Sequence, residues 1–429
     1  MVIVSLVIES SLIKIVPFYH TYSDIGTRVL VFVIIYTILI MGETIILIDI
    51  FRSGITSRHR IGFDIIRKSL YICQIAISSV LTLIIIEVIV MSRVSTFLLT
   101  ISATIGYTLS SVIFAVLAYH FFQWYLVNRN NVVLSYGICC TALTLNLVIS
   151  IIFVDILLQQ RQEVLLPQLG LSDKFITNDP MMRTLQVSYV VSSILGFTAA
   201  WASSVILLYH YSSRKGSIKS WTLLSIPLIL FISQYIGTLF NLFPAMVGQN
   251  PVFFGNILTI VYAISRPAGG ILFGLALWII SRYIKENNAV RGYLIRCAYG
   301  FILFFVSNQA IVLITTNYPP LGVMTTAFLP IASFLVFAGI YSIAVSVSQD
   351  ISLRRSIKNS VEKEVLFVDS IAMGQMNKQI QHKVLRTIRN LSSEINEATG
   401  IENSLTDEDI KMYINEALRA NLSKKASQR

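Results

Sequence analysis

The chain has 429 residues, of which 55% are hydrophobic and 13% charged, with a mean hydropathy of +0.72 and a formal net charge of +11. That balance excludes a soluble globular domain, because the apolar stretches are long enough to cross a bilayer. The basic excess falls between and after those stretches, so it reads as membrane topology and lipid-headgroup contact rather than as a nucleic-acid surface.

Residues 1–27 form an external or interfacial segment. Met1 to Val16 is apolar but carries Glu9 and Lys14 and stops at Pro17, the pattern of a short interfacial helix rather than of a cleaved signal peptide. Residues 28–347 then hold nine predicted spans: 28–50, 69–91, 96–127, 132–158, 185–211, 218–243, 253–284, 297–315 and 321–347. The third ends in Tyr119, Phe121, Phe122, Trp124 and Tyr125, an aromatic belt at a water interface. The longest loop, 159–184, is polar and turn-rich, and is large enough to act as a lid or a docking surface. Lys and Arg number seventeen on one set of junctions and six on the other, which places the N-terminus outside and the C-terminus in the cytoplasm of a cell-membrane protein. A tenth span at Met1 to Val16 would instead put the N-terminus inside.

The seventh span, Phe253 to Ile284, is interrupted by Arg266-Pro267-Ala268-Gly269-Gly270. A guanidinium at that depth costs roughly 2.5–3.5 kcal/mol unless it meets a partner or water, so Arg266 marks either a ligand site or a buried ion pair that locks the bundle. The proline and the paired glycines predict a kinked or loosened helix there. At a rise of ~1.5 Å per residue, Arg266 lies ~24 Å from the inner edge, and Glu87, Asn146, Gln234 and Asn308 fall at similar heights on other spans. Such a layer would bind a small anion or carboxylate at Arg266, with Glu87 as counter-ion, Glu43 as the alternative, and Gln234, Asn146 and Asn308 as a hydrogen-bonding wall. Tyr262, one turn before Arg266, can line the same face, although core packing accounts for it as well.

Other chemistry is sparse. There is no phosphate-cradling glycine loop, HExxH or nucleophile elbow, so the expectation is no enzyme and no cofactor. The five histidines are scattered and Cys73, Cys139, Cys140 and Cys297 show no paired spacing, which gives no metal site. Ser78, Ser79, Ser110, Ser111, Ser192, Ser193, Ser203 and Ser204 read as small hydroxyl residues of helix packing.

Residues 348–429 form a cytoplasmic tail of amphipathic helices. The apolar series Ile357, Val361, Val365, Val368 and Ile371 changes phase at Gly374 and resumes at Met376, Ile380, Val384, Ile388, Leu391 and Ile395, predicting one long helix that continues from the last span. A second helix starts at Thr406. These faces need a cytoplasmic protein partner or self-association. A membrane bundle joined to a helical tail resembles the input half of membrane sensor proteins. His382-Lys383-Val384-Leu385-Arg386-Thr387 loosely resembles a histidine-kinase phosphoacceptor box, but Lys383 stands where that box has an acid and Ile388 where it has a proline. Ile-richness, Tyr318-Pro319-Pro320 and Ser348-Gln349-Asp350 make the chain similar to uncharacterised multi-pass proteins of ammonia-oxidising archaea. The expected function is a receptor-like sensor relaying from the polar layer through the tail, with a secondary transporter of a small anion or carboxylate, or a membrane scaffold, as the alternatives.

Overall fold

A computed structural model describes residues 2–7, 25–52, 61–91, 94–163, 180–214, 217–239, 251–284, 288–310, 320, 322–350, 354 and 366–399. The described residues are helical apart from short connections. In chain order the helices are α1 Ile25–Arg52, α2 Ile61–Ile86 with a π-helical extension Glu87–Met91, α3 Thr96–Asn128, α4 Asn131–Glu163 and α5 Pro180–Arg214. Then come α6 Ser217–Leu239, α7 Pro251–Tyr283, α8 Asn288–Ser307, α9 Val323–Gln349 and α10 Leu366–Thr399. Among the described residues, eight helices (α1–α5 and α7–α9) are long and apolar enough to cross a membrane. Helix α6 contributes a shorter apolar stretch, Leu224–Ile236. The protein is a multi-pass integral membrane protein whose described residues are helical, and apolar side chains such as Leu30, Met41, Ile72 and Val90 lie exposed on α1, α2 and its π-helical extension, compatible with lipid contact.

Helix α9 is the hub. Its apolar residues run all round the helix, and 94% of its apolar window is buried inside the bundle, against 28% for α1 and for α2. Such a helix belongs at the centre of a bundle. Neighbours approach it through small residues: a Cβ at Gly106 of α3 would lie 2.6 Å from the Thr326 carbonyl, and one at Gly300 of α8 would lie 2.8 Å from the Val336 nitrogen. Ser102 and Thr326 hydroxyls meet at 3.0 Å on the same α3–α9 seam. In a bilayer, where lipid tails match apolar side chains, this close packing and hydroxyl bonding drive association.

At the N-terminal end, residues 2–7 form a short helical segment, with Val2 against Gly42 of α1 and Leu6 buried. At the other end, the helix predicted to continue through Ser348-Gln349-Asp350 stops: α9 ends at Gln349 and Asp350 is extended, with φ −97° and ψ 106°.

Instead of projecting, α10 packs against α3 and α9. It buries Phe367, Val368, Ile371, Ala372 and Gln375, and Phe367 sits 5.1 Å from the Tyr136 ring. The Trp124 indole N–H donates to Gln375 Oε1 at 3.2 Å, Asn128 Nδ2 to the Ser370 carbonyl at 2.6 Å, and Asn130 Nδ2 to Ser370 Oγ at 2.7 Å. Burying each large apolar side chain contributes about 1.5–3 kcal/mol, which a free-standing amphipathic helix forgoes. Gly374 is the crossing point, where a Cβ would lie 2.8 Å from the Cα, Cβ and Cδ1 of Trp124. The change of phase at Gly374 is therefore the place where two helices touch. The second tail helix and residues 164–179 of the long loop lie outside the described residues.

Candidate binding site at Arg266

Helix α7 runs unbroken through Pro267, so the expected loosening at Arg266 does not occur there. The glycines serve packing instead: a Cβ on Gly269 would strike the Phe197 ring at 2.3 Å, and one on Gly270 would lie 2.8 Å from Phe305 Cβ. The interruption lies in the partner helix. α8 ends at Ser307, Asn308 and Gln309 leave the helix, and Ala310 re-enters it, within the stretch expected to be the eighth span. A helix that stops inside a membrane leaves carbonyls without intrahelical donors.

Arg266 answers that interruption. Its Nη1 donates to the Asn308 main-chain carbonyl, placing a positive charge at the negative end of α8. Its Nη2 donates to Tyr235 Oη at 3.1 Å on α6 and lies 3.4 Å from Tyr189 Oη and Ser193 Oγ on α5. The guanidinium carbon is 5.3 Å from the centre of the Phe231 ring. Behind it, Asn308 Nδ2 donates to Asn146 Oδ1 at 3.0 Å, and Asn146 Nδ2 lies 3.0 Å from Ser193 Oγ and 3.2 Å from Ser192 Oγ. Five helices, α4 to α8, thus converge on one polar centre with Tyr189, Asn146, Ser192, Ser193 and Asn308 all buried. Among the described residues, Asn308 Oδ1 has no hydrogen-bond partner in that buried position. A cavity of about 10 Å³, the room of a single water, is lined by Asn146, Ser193, Phe197, Phe231, Arg266 and Asn308 among others.

Of the residues expected from height, Asn146 and Asn308 join Arg266 and Glu87 does not. Glu87 is not its counter-ion: its Oε2 accepts the Ser95 main-chain N–H at 2.9 Å where α2 turns towards α3. Equal height leaves the rotation of α2 open, and the π-helical turn at Glu87 carries the carboxylate to the helix end. Glu43 is not the counter-ion either, since its Oε1 accepts from Gln74 and Ser78 on α2. Gln234 is half-buried on α6, and its neighbour Tyr235 supplies the hydroxyl. The Tyr262 side chain lies outside the described residues. Among the described residues no carboxylate stands within 4.0 Å of Arg266; an ion pair at that range joins Arg67 to Asp64, 3.1 Å apart.

Sequence reasoning misses Tyr189 and Tyr235, and takes Ser192 and Ser193 for packing residues. The available signal is Tyr235, a phenol placed away from the ends of its predicted span, whereas Tyr189 lies four residues inside the predicted start at 185, where tyrosine ordinarily sits. No cluster of three or more His, Cys, Asp or Glu side chains able to hold a metal occurs among the described residues. Compared with known proteins, the chain matches no protein-family model, no curated protein and no solved structure.

Proposed function

We propose that this protein is a secondary transporter of a small anion or carboxylate, with Arg266 as the recognition group. The observation that carries the reading is a half-buried guanidinium where five helices converge, without a carboxylate partner among the described residues, at the broken end of α8. Discontinuous helices beside an interior charge are a recurring construction of substrate sites in carriers, because freed backbone groups and fixed charge converge there. The narrow cavity suits an occluded state, so a substrate larger than water needs α7 and α8 to part. In this reading α6 completes nine spans, with the N-terminus outside and the tail in the cytoplasm, as the Lys and Arg distribution favours.

The test is thermal stability of the purified chain across chloride, phosphate, short carboxylates and amino acids, followed by flux of any hit into proteoliposomes. The expected result is an anion that raises the melting temperature of the native protein but not of Arg266→Gln, and whose uptake the substitution abolishes. No selective shift, with Arg266→Gln melting earlier by one margin in every condition, would make the arginine a structural cap for α8.

A sensor reading has one observation in its favour, the seating of α10 on α3 and α9. The helix end at Asp350 removes the rigid rod on which such a relay would depend. Coupling would then run through undocking of α10 rather than through a shift of α9. Anion-dependent hydrogen exchange in residues 366–380 without any flux would favour it.

A further inference from the structure

Away from the Arg266 layer, α1, α2 and α9 enclose a second polar centre around Glu43, which is 2% exposed. Its Oε1 accepts from Gln74 Nε2 at 2.6 Å and from Ser78 Oγ at 2.7 Å. Gln74 is fully buried, and its Nε2 also donates to the Ala327 carbonyl at 3.1 Å. Two acceptors on one nitrogen fix the orientation of that amide. Its oxygen is therefore turned away, and among the described residues both Gln74 Oε1 and Glu43 Oε2 are buried without a hydrogen-bond partner.

Two donors on one carboxyl oxygen and none on the other is a lopsided arrangement for a buried anion. An ionised carboxylate shut away from water needs a cation or further donors. The elements packed around it offer Gln74 and Ser78 from α2 and the Ala327 carbonyl from α9, and among the described residues they present no charged group to it. A hard metal cation would need about six oxygens, more than this centre supplies. A proton on Oε2 removes the charge, and the O–H it creates asks for a single acceptor rather than a cation.

We propose that Glu43 is a proton-binding site, loaded in the closed structure and able to release its proton when α1, α2 and α9 shift. The Gln74 and Ser78 donors stabilise the charged form that follows release, so the centre is built for both protonation states. Val2 sits against Gly42 beside it, which ties the N-terminal segment to the same place. This inference stands on its own geometry and does not depend on an anion at Arg266.

Infrared difference spectra of the full chain in lipid nanodiscs, native minus Glu43→Gln, test it across a pH series. The expected result is a protonated carboxylic-acid carbonyl band that belongs to Glu43, disappears reversibly as pH rises, and is retained in Glu87→Gln. Gln74→Leu, which removes a donor to the charged form, should keep the band to higher pH and also serves if Glu43→Gln does not fold. Absence of such a band at every pH, or a band that persists unchanged until the protein unfolds, overturns the proposal.

Discussion

At the scale of single residues, the polar side chains of this bundle act as pairs and triads, so their substitutions should divide by what they leave behind. Asn146→Leu removes the partner of Asn308 Nδ2 and strands it in a buried place. Stranding a buried donor costs about 1–3 kcal/mol, so Asn146→Leu should lower thermal stability more than Ser192→Ala, which removes one weak acceptor from Asn146. Arg266→Lys keeps the charge but loses the planar fork that spans the Asn308 carbonyl and the Tyr235 hydroxyl. It should therefore fold yet respond to anions at higher concentration than the native chain, as a titration of melting temperature would show. Glu87→Gln should leave that response unchanged, since Glu87 caps the α2–α3 turn.

At the scale of helices, contact depends on glycine where two backbones meet. Gly374→Leu places a side chain into the Trp124 backbone, and overpacking of this kind costs typically about 1–3 kcal/mol. The expected outcome is faster hydrogen exchange through residues 366–380 with the transmembrane helices still protected. Gly106→Leu strikes the Thr326 carbonyl on the hub helix and should lower the melting temperature of the whole bundle instead. The pair separates a docked accessory helix from a helix in the core.

For the molecule as a whole, orientation is open to direct measurement. In a background with the four native cysteines replaced, Asp173→Cys should react with an impermeant maleimide added outside intact cells, and Ser57→Cys only after permeabilisation. Much of the architecture is legible in the amino-acid sequence, because twenty-residue apolar runs, basic junctions and helical rise are one-dimensional quantities. Rise brings Asn146, Asn308 and Arg266 to one level, and the folded bundle joins them. It cannot distinguish Glu87 from them, because rotation about a helix axis depends on neighbours that the periodicity of a uniformly apolar span does not reveal. The tail shows the same limit from the other side. Its amphipathic series announces a buried face, but that the face finds Phe121, Trp124 and Tyr136 of this same chain is a tertiary fact.

The near-complete burial of α9 also bears on how the protein is made. Apolar on every side, α9 enters lipid as readily as any span, yet it is translated after α1 to α8, the helices that surround it or pack on those that do. Gly106, Gly300 and the Glu43 centre have no finished surface to meet until it arrives. Before it arrives, α4 to α8 can already meet at the Arg266 centre, while the faces of α1, α2, α3 and α8 that receive α9 stay unfilled. A ribosome stalled with α9 still inside its exit tunnel should hold a chain whose emerged spans are in the membrane and whose Gly106 face is still open to crosslinking. Release of the remaining residues should close it, making the last spanning helix the keystone of assembly.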